Sequence, residues 1–290
     1  DVRNVRLDSQ NYEVVLEADG ARLKINRLAK RTELFHNTVR ESLNAIKTES
    51  AEALHTILPF LNADQLQNAA EILPEGHSAR TSKLAAVHAR IPGALAVNAV
   101  DATLKPYYED LLSRTAKDSL FAGFKLIRSE NAKEQSGPED SEDEAPEETA
   151  DNTVPDADKS APNALYWFFF PLAAQPGSSQ PAKVVAWEAS SRSGRATYFF
   201  RLPDSAKSAD EIEGAIAGIN RVLGMLNFRR RPIYLSDDEL SGNPIFHRYA
   251  IAARKIPELR EVRASFLGRA AHTSLEAWQA QVKTILARGM

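Results

Sequence analysis

Charged residues able to do chemistry gather in one stretch, Asn227–Leu240, which reads NFRRRPIYLSDDEL. Arg229, Arg230 and Arg231 are followed by Asp237, Asp238 and Glu239. A guanidinium holds its N–H donors in a rigid plane that matches phosphate and carboxylate oxygens two at a time. Arg221, Arg248, Arg254, Lys255, Arg260, Arg263 and Arg269 stand nearby in the chain. The candidate anion-binding set is Arg229, Arg230, Arg231, Arg248, Arg260 and Arg263. On one face these would attract nucleic acid, anionic lipid or an acidic protein segment. The same residues also have a local explanation. The three arginines follow an expected helix, whose C-terminal dipole favours cations by about 0.3–1 kcal/mol. Ser236 with Glu239 forms a capping-box pattern that opens a short turn, and the acidic triplet lacks the alternating spacing of a calcium loop.

Other chemistry finds little support. There is no cysteine, so disulfides, thiolate metal sites and a cysteine nucleophile are excluded. The histidines at 36, 55, 77, 88, 247 and 272 show no metal-ligand spacing. His247 and His272 read as capping or surface residues. No HExxH, GxSxG, phosphate-binding or dinucleotide-binding motif occurs. No catalytic residue, cofactor or metal ligand is therefore assigned.

Residues 129–162 contain twelve acidic side chains against Lys133 and Lys159, a net charge of −10. Val154 is the one β-branched aliphatic there, and no aromatic residue occurs. Such a run buries too little apolar surface to offset its chain entropy, so it is expected to be disordered. It reads as a solvated loop insertion; the other reading is an acidic tail that mimics nucleic acid or inhibits its own basic domain. The whole chain sums to −3, so the insertion conceals a basic C-terminal part: residues 163–290 hold 17 basic and 11 acidic side chains.

The elements must position these groups. NYEVVLEADGARLKIN predicts a hairpin turning at Asp19-Gly20. Phe35, Val39, Leu43 and Ile46 then predict one face of a helix. Helices are expected near 50–60, 63–73, 80–89 and 103–116, broken by Pro59, Pro74 and Pro92-Gly93. SLFAGFKLI and LYWFFFPL, on either side of the acidic run, predict a strand pair with an elaborated loop. KVVAWEAS and RATYFFRL predict a second hairpin, joined by SRSG, with Glu188 close to Arg195. Ser208 and Glu211 cap a helix carrying Ile212, Ile216, Ile219, Leu223 and Leu226. A further helix over IPELREVRASFLG would align Leu259, Val262 and Phe266, and Thr273 with Glu276 would cap the last helix, with Trp278 inside. The expected core also includes Val14, Leu16, Ile25, Trp167, Phe169, Val185, Trp187, Tyr198 and Phe200. No stretch reaches the about 18 apolar residues of a membrane span. Val2 and Val5 read as part of a strand, so the chain is expected to begin partway into a domain, without a signal-peptide pattern.

Strand, strand, strand, long helix occurs twice, at about 1–48 and 164–227. That order resembles the end of a pleckstrin-homology-like (PH-like) domain. GRATYFFR, NFRRRPIYLSDDEL and FLGRAAHTSLEAW resemble segments of uncharacterised bacterial proteins with a PH-like region; the resemblance implies a bacterial, cytoplasmic protein and carries no activity to particular residues. The expected fold class is α+β, with antiparallel sheets each closed by an amphipathic helix, a helical connector and C-terminal helices. The expected domains are a PH-like region at 1–48, truncated at its N-terminus, a helical connector at 49–118, and a second α+β domain at 119–290 carrying the insertion. The leading functional expectation is a non-catalytic interaction or scaffold module for a protein partner. Binding of nucleic acid or anionic lipid through the C-terminal arginines is the alternative, and an enzyme without a recognisable motif is the third.

Overall fold

The structure is a computed structural model that describes residues 2–18, 21–116, 118–127, 164–172, 181–190 and 195–289. The chain is α+β with two antiparallel sheets. The Asp19-Gly20 turn, the SRSG link and the acidic run at 129–162 lie outside the described residues.

Strands β1 (Val2–Asp8), β2 (Glu13–Ala18) and β3 (Ala21–Ile25) form the smaller sheet in that order. Val14 pairs with Ile25 and Leu16 with Leu23, the register that the alternation predicts. Helix α1 (Thr32–Ile57) packs against β1 and β2 of this sheet. Three short strands cannot cover a helix face fully: Phe35, Val39 and Leu43 are half-buried, and Ile46 is exposed. Leu16 and Ile25 are likewise only half-buried.

α1 does not stop near residue 48. Its C-terminal half carries Ala53, Leu54 and Ile57 into a second, larger core. The boundary expected at 48/49 therefore falls inside a continuous helix. Helices α2 (Ala63–Ile72), α3 (Thr81–Val87), α4 (Ile91–Ala99) and α5 (Lys105–Arg114) follow. Pro92, expected to break a helix, instead occupies the first turn of α4, where a missing N–H costs nothing. Strand β4 (Ser78–Arg80), unforeseen in the sequence, pairs with β5 (Phe121–Leu126). Residues 49–118 are thus more than a connector, since they supply a strand and core helices to the same sheet as the residues after them.

That sheet runs β4, β5, β6 (Ala164–Leu172), β7 (Val184–Ala189), β8 (Ala196–Arg201), β9 (Phe266–Ala271), each antiparallel to the next. Helices cover both of its faces, in place of the single closing helix expected. Tyr166, Phe168, Phe170, Leu172, Val184, Ala186 and Phe199 join α1–α5 and α11 (Leu275–Gly289) in one core. Trp167, Phe169, Val185, Trp187, Tyr198 and Phe200 face α6 (Ala209–Met225) and the helices after it. A strand buried on both faces needs no polar alternation, which is why LYWFFFPL reads as an unbroken apolar run.

α6 starts at the predicted capping box: Ser208 Oγ accepts from Glu211 N–H, and Glu211 Oε2 accepts from Ser208 N–H at 2.8 Å. Then come α7 (Arg231–Tyr234), α8 (Asp237–Gly242), α9 (His247–Lys255) and α10 (Pro257–Ser265). α10 ends where Phe266 was expected to continue it. The chain turns into β9, and Phe266 is half-buried beside Phe200. Gly268, at φ +150°, sits where β9 shifts register against β8. The last helix is capped by Ser274, whose Oγ accepts from Ala277 N–H, and not by Thr273.

Candidate functional site

α6 terminates in a way that decides what its arginines do. Asn227 and Phe228 both adopt the left-handed region, at φ 51° and 61°. Phe228 N–H reaches back to Leu223 O at 2.7 Å, and its ring packs 4.2 Å from the Trp167 ring. Asn227 Oδ1 accepts from Lys125 Nζ at 2.7 Å, which ties the turn to β5. The three arginines leave this tight turn in separate directions.

Arg229 donates to the Tyr249 hydroxyl at 2.8 Å. Arg230 lies over the Trp187 and Tyr198 rings, 5.9 and 5.7 Å from their centroids. Arg231 is buried at 9 % exposure and lies 5.4 Å from the Phe246 ring centroid. None of the three is without a partner. Of the other candidates, Arg248 donates to the same Tyr249 hydroxyl at 2.9 Å, and Arg260 is exposed on α10. Arg263 turns inward, donating to the Pro232 carbonyl and, at 2.8 Å, to Leu235 O; it also pairs with Asp237 at 2.7 Å. The structure thus brings Arg229 and Arg248 together and spreads Arg230, Arg231 and Arg263 over aromatic rings and carbonyls.

The acidic triplet does its local task. Ser236 Oγ accepts from Glu239 N–H, and Glu239 Oε2 accepts from Ser236 N–H at 2.7 Å. Those bonds hold the Glu239 carboxyl below its ordinary range.

Beside the arginines lies a concavity that the sequence reading did not single out. An open groove of about 210 Å³ runs between the end of α6 and the helices α9 and α10. Val222, Met225, Leu226, Ala252, Ile256 and Leu259 line it, with Arg248 and Tyr249 also on its wall. Met225 is 53 % exposed and Ile251, next to Ala252, is 40 % exposed. A large apolar residue at the exposed end of a core-facing helix was the available signal; it needed α9 and α10 beside it to become a groove.

A cluster with catalytic residue types, Glu188, Thr197 and His272, is sealed in the core. Glu188 lies beside Thr197, and not beside Arg195 as expected; Arg195 pairs instead with Asp101 at 2.8 Å. His272, expected at a cap or surface, has its ring buried and stacked 4.1 Å from the Tyr107 ring. Thr197 Oγ lies 2.6 Å from Glu188 Oε2 and 3.0 Å from His272 Nε2, and it accepts from Trp278 Nε1–H at 2.9 Å. His272 Nε2 is itself 3.2 Å from Glu188 Oε2. Thr197 Oγ donates to Glu188 Oε2, and the direction of its bond with His272 Nε2 follows the imidazole tautomer. In a nucleophile–base–carboxylate relay the hydroxyl and the acid engage opposite ring nitrogens. Here both engage Nε2, and Thr197 and Glu188 are at most 1 % exposed. This network joins β7, β8 and α11 and serves packing.

Among the described residues no group of three His, Asp or Glu side chains is arranged to hold a metal ion. No helix there is long and apolar enough to cross a membrane. Comparison with protein-family models, curated proteins and solved structures finds no match to this chain. What fold and site define is an α+β protein with a helix-covered antiparallel sheet and an apolar groove on its basic C-terminal side.

Proposed function

We propose that the chain is a non-catalytic protein-interaction module on a PH-like scaffold. The observation that carries the reading is the groove between α6, α9 and α10, where Met225 stays half exposed beside an apolar trough. Large apolar side chains left at the surface around a concavity mark contact surfaces. The orders β1–β2–β3–α1 and β6–β7–β8–α6 support the scaffold reading. Binding of nucleic acid or anionic lipid is the second reading, favoured by the exposed Arg248, Arg254, Lys255 and Arg260 along α9 and α10. It ranks lower because Arg230, Arg231 and Arg263 are engaged with rings and carbonyls of the fold.

A photo-crosslinking amino acid at Met225 of the intact chain, in the cells that make it, tests the reading. Val97, 80 % exposed on α4, serves as the control position. A discrete protein adduct from Met225 and none from Val97 is expected. Equal adducts from both positions, or none from either, would contradict it.

A further inference from the structure

Strand β3 (Ala21–Ile25) is an open edge of the smaller sheet. It pairs with β2 on one side, and among the described residues no strand pairs with the other. Alternate residues of an edge strand turn their N–H and C=O groups away from the sheet, where water or a further strand satisfies them. Helix α1 packs against β1 and β2, which leaves β3 at the margin. Leu23, opposite Leu16, is 58 % exposed, and Ile25, opposite Val14, is half-buried. The apolar side of the sheet therefore runs out to an unpaired backbone.

The other side of β3 carries Arg22 and Lys24, both exposed. Lys24 lies 3.4 Å from Glu13. Arg22 stands opposite Glu17, which Arg6 holds at 3.2 Å and Asn4 at 3.1 Å. Arg27, Lys30 and Arg31 follow before the next acid, Glu33, and all four are exposed. Among the described residues Arg22, Arg27, Lys30, Arg31 and Glu33 form no ion pair. Asp19, which precedes β3, lies outside the described residues. The acids of the sheet itself, Asp8, Glu13 and Glu17, sit on β1 and β2. A strand laid along β3 would meet Arg22 and Lys24 at about 5 Å and the β2 carboxylates one strand further, at about 10 Å, where salt screens them.

The same charges decide the occupant. Antiparallel pairing of β3 with β3 of a second copy, centred on Leu23, would set Arg22 opposite Lys24, and like charges directly opposite are unfavourable. We propose that β3 receives an extended segment of another protein in which apolar and acidic residues alternate. Its backbone continues the sheet, its apolar side chains cover Leu23 and Ile25, and its carboxylates meet Arg22 and Lys24. The chain's own acidic run is a poor strand for this edge, since Pro138, Pro146 and Pro155 interrupt it and Val154 is its one β-branched aliphatic. β3 shares no residue with the groove, so this surface and the one probed at Met225 stand or fall separately.

The test is fluorescence anisotropy of the intact chain with a labelled peptide of alternating Glu and Val, against one of alternating Lys and Val. Two further Glu/Val peptides are N-methylated, one at every Glu and one at every Val. A strand pairs with its neighbour through alternate residues, so one methylated form is expected to bind like the parent peptide and the other at least about tenfold more weakly. The Glu/Val peptide is expected to bind at least about tenfold tighter than the Lys/Val peptide, by a margin that shrinks as salt rises. Hydrogen exchange with the Glu/Val peptide bound is expected to show new protection in β3. Equal binding of the Glu/Val and Lys/Val peptides, equal binding of the two methylated forms, no binding, or protection that leaves β3 unchanged would overturn the proposal. Arg22→Glu with Lys24→Glu is expected to reverse the preference toward the Lys/Val peptide, a gain that a damaged sheet could not give; an unchanged preference would overturn the proposal. If that variant binds neither peptide, Leu23→Thr decides, since it keeps every charge at an exposed position. Weakening of about fivefold or more supports the proposal, and unchanged affinity overturns it.

Discussion

Gly123 is a position where a single methyl group cannot be accommodated. A β-carbon there would lie 2.2 Å from the Trp167 ring, which is fully buried and bonded through Nε1–H to Asn220 Oδ1 at 2.9 Å. Gly123→Ala should cost about 3 kcal/mol in urea unfolding, because neither the strand nor the indole can give way. Thr197 is a second such position. Thr197→Val leaves the Trp278 N–H without its acceptor and removes the hydroxyl donor to Glu188, a loss of about 2–4 kcal/mol; Thr197→Ser keeps both bonds and should cost about 1 kcal/mol, for the buried methyl. Tyr108 predicts behaviour in alkali. Burial against Phe168 and Phe170 raises its hydroxyl from 10.0 to about 12, so the fold favours the neutral phenol. A folded value above the unfolded one leaves stability intact below about pH 10 and erodes it as pH rises toward 12. Tyr108→Phe should flatten that part of a stability–pH curve. At this scale the sequence was legible where a residue acts on its neighbours, as Ser236 and Glu239 do. It was opaque where the partner is remote: nothing near Gly123 announces Trp167, and nothing near Glu188 announces His272.

The elements whose ends are written locally were the readable ones. Ser208 and Glu211 start α6 as their spacing indicates, and the hydrogen bonds they exchange hold the Glu211 carboxyl below its ordinary range. Ser208→Ala should therefore cost about 1 kcal/mol at neutral pH. The Glu211 carboxylate adds a pH-dependent part, present above the unfolded carboxylate value of about 4.3 and lost as pH falls through the depressed folded one. Thermal melts of Glu211→Gln and the parent chain should converge in acid, whereas Ser208→Ala keeps its deficit there because Ser208 Oγ accepts from Glu211 N–H at any pH. Strand β9 was hidden for a different reason. Phe266 lies at helical spacing from Leu259 and Val262, so periodicity extends α10 through it; only the open edge of β8 shows that the chain must turn into the sheet there. Likewise α1 reads as two helices until the second core, which holds its C-terminal half, is known.

For the molecule as a whole, the central sheet uses both faces for packing, and the arginine triplet is drawn into one of them. The stretch Asn227–Leu240 is therefore mostly architecture: Arg231 buried against Phe246, Arg230 over Trp187 and Tyr198, and Asp237 paired with Arg263. Arg231→Ala should lower the urea midpoint by an amount corresponding to about 1–3 kcal/mol, since its stem and its ring contact are lost together. The proposed contact surface lies beside it, in the groove that α6, α9 and α10 leave open. Crosslinking from Met225 of the intact chain, with Val97 as the control, tests that placement most directly. A discrete protein adduct from Met225 alone is the result expected. Equal adducts from both positions, or none from either, would contradict it.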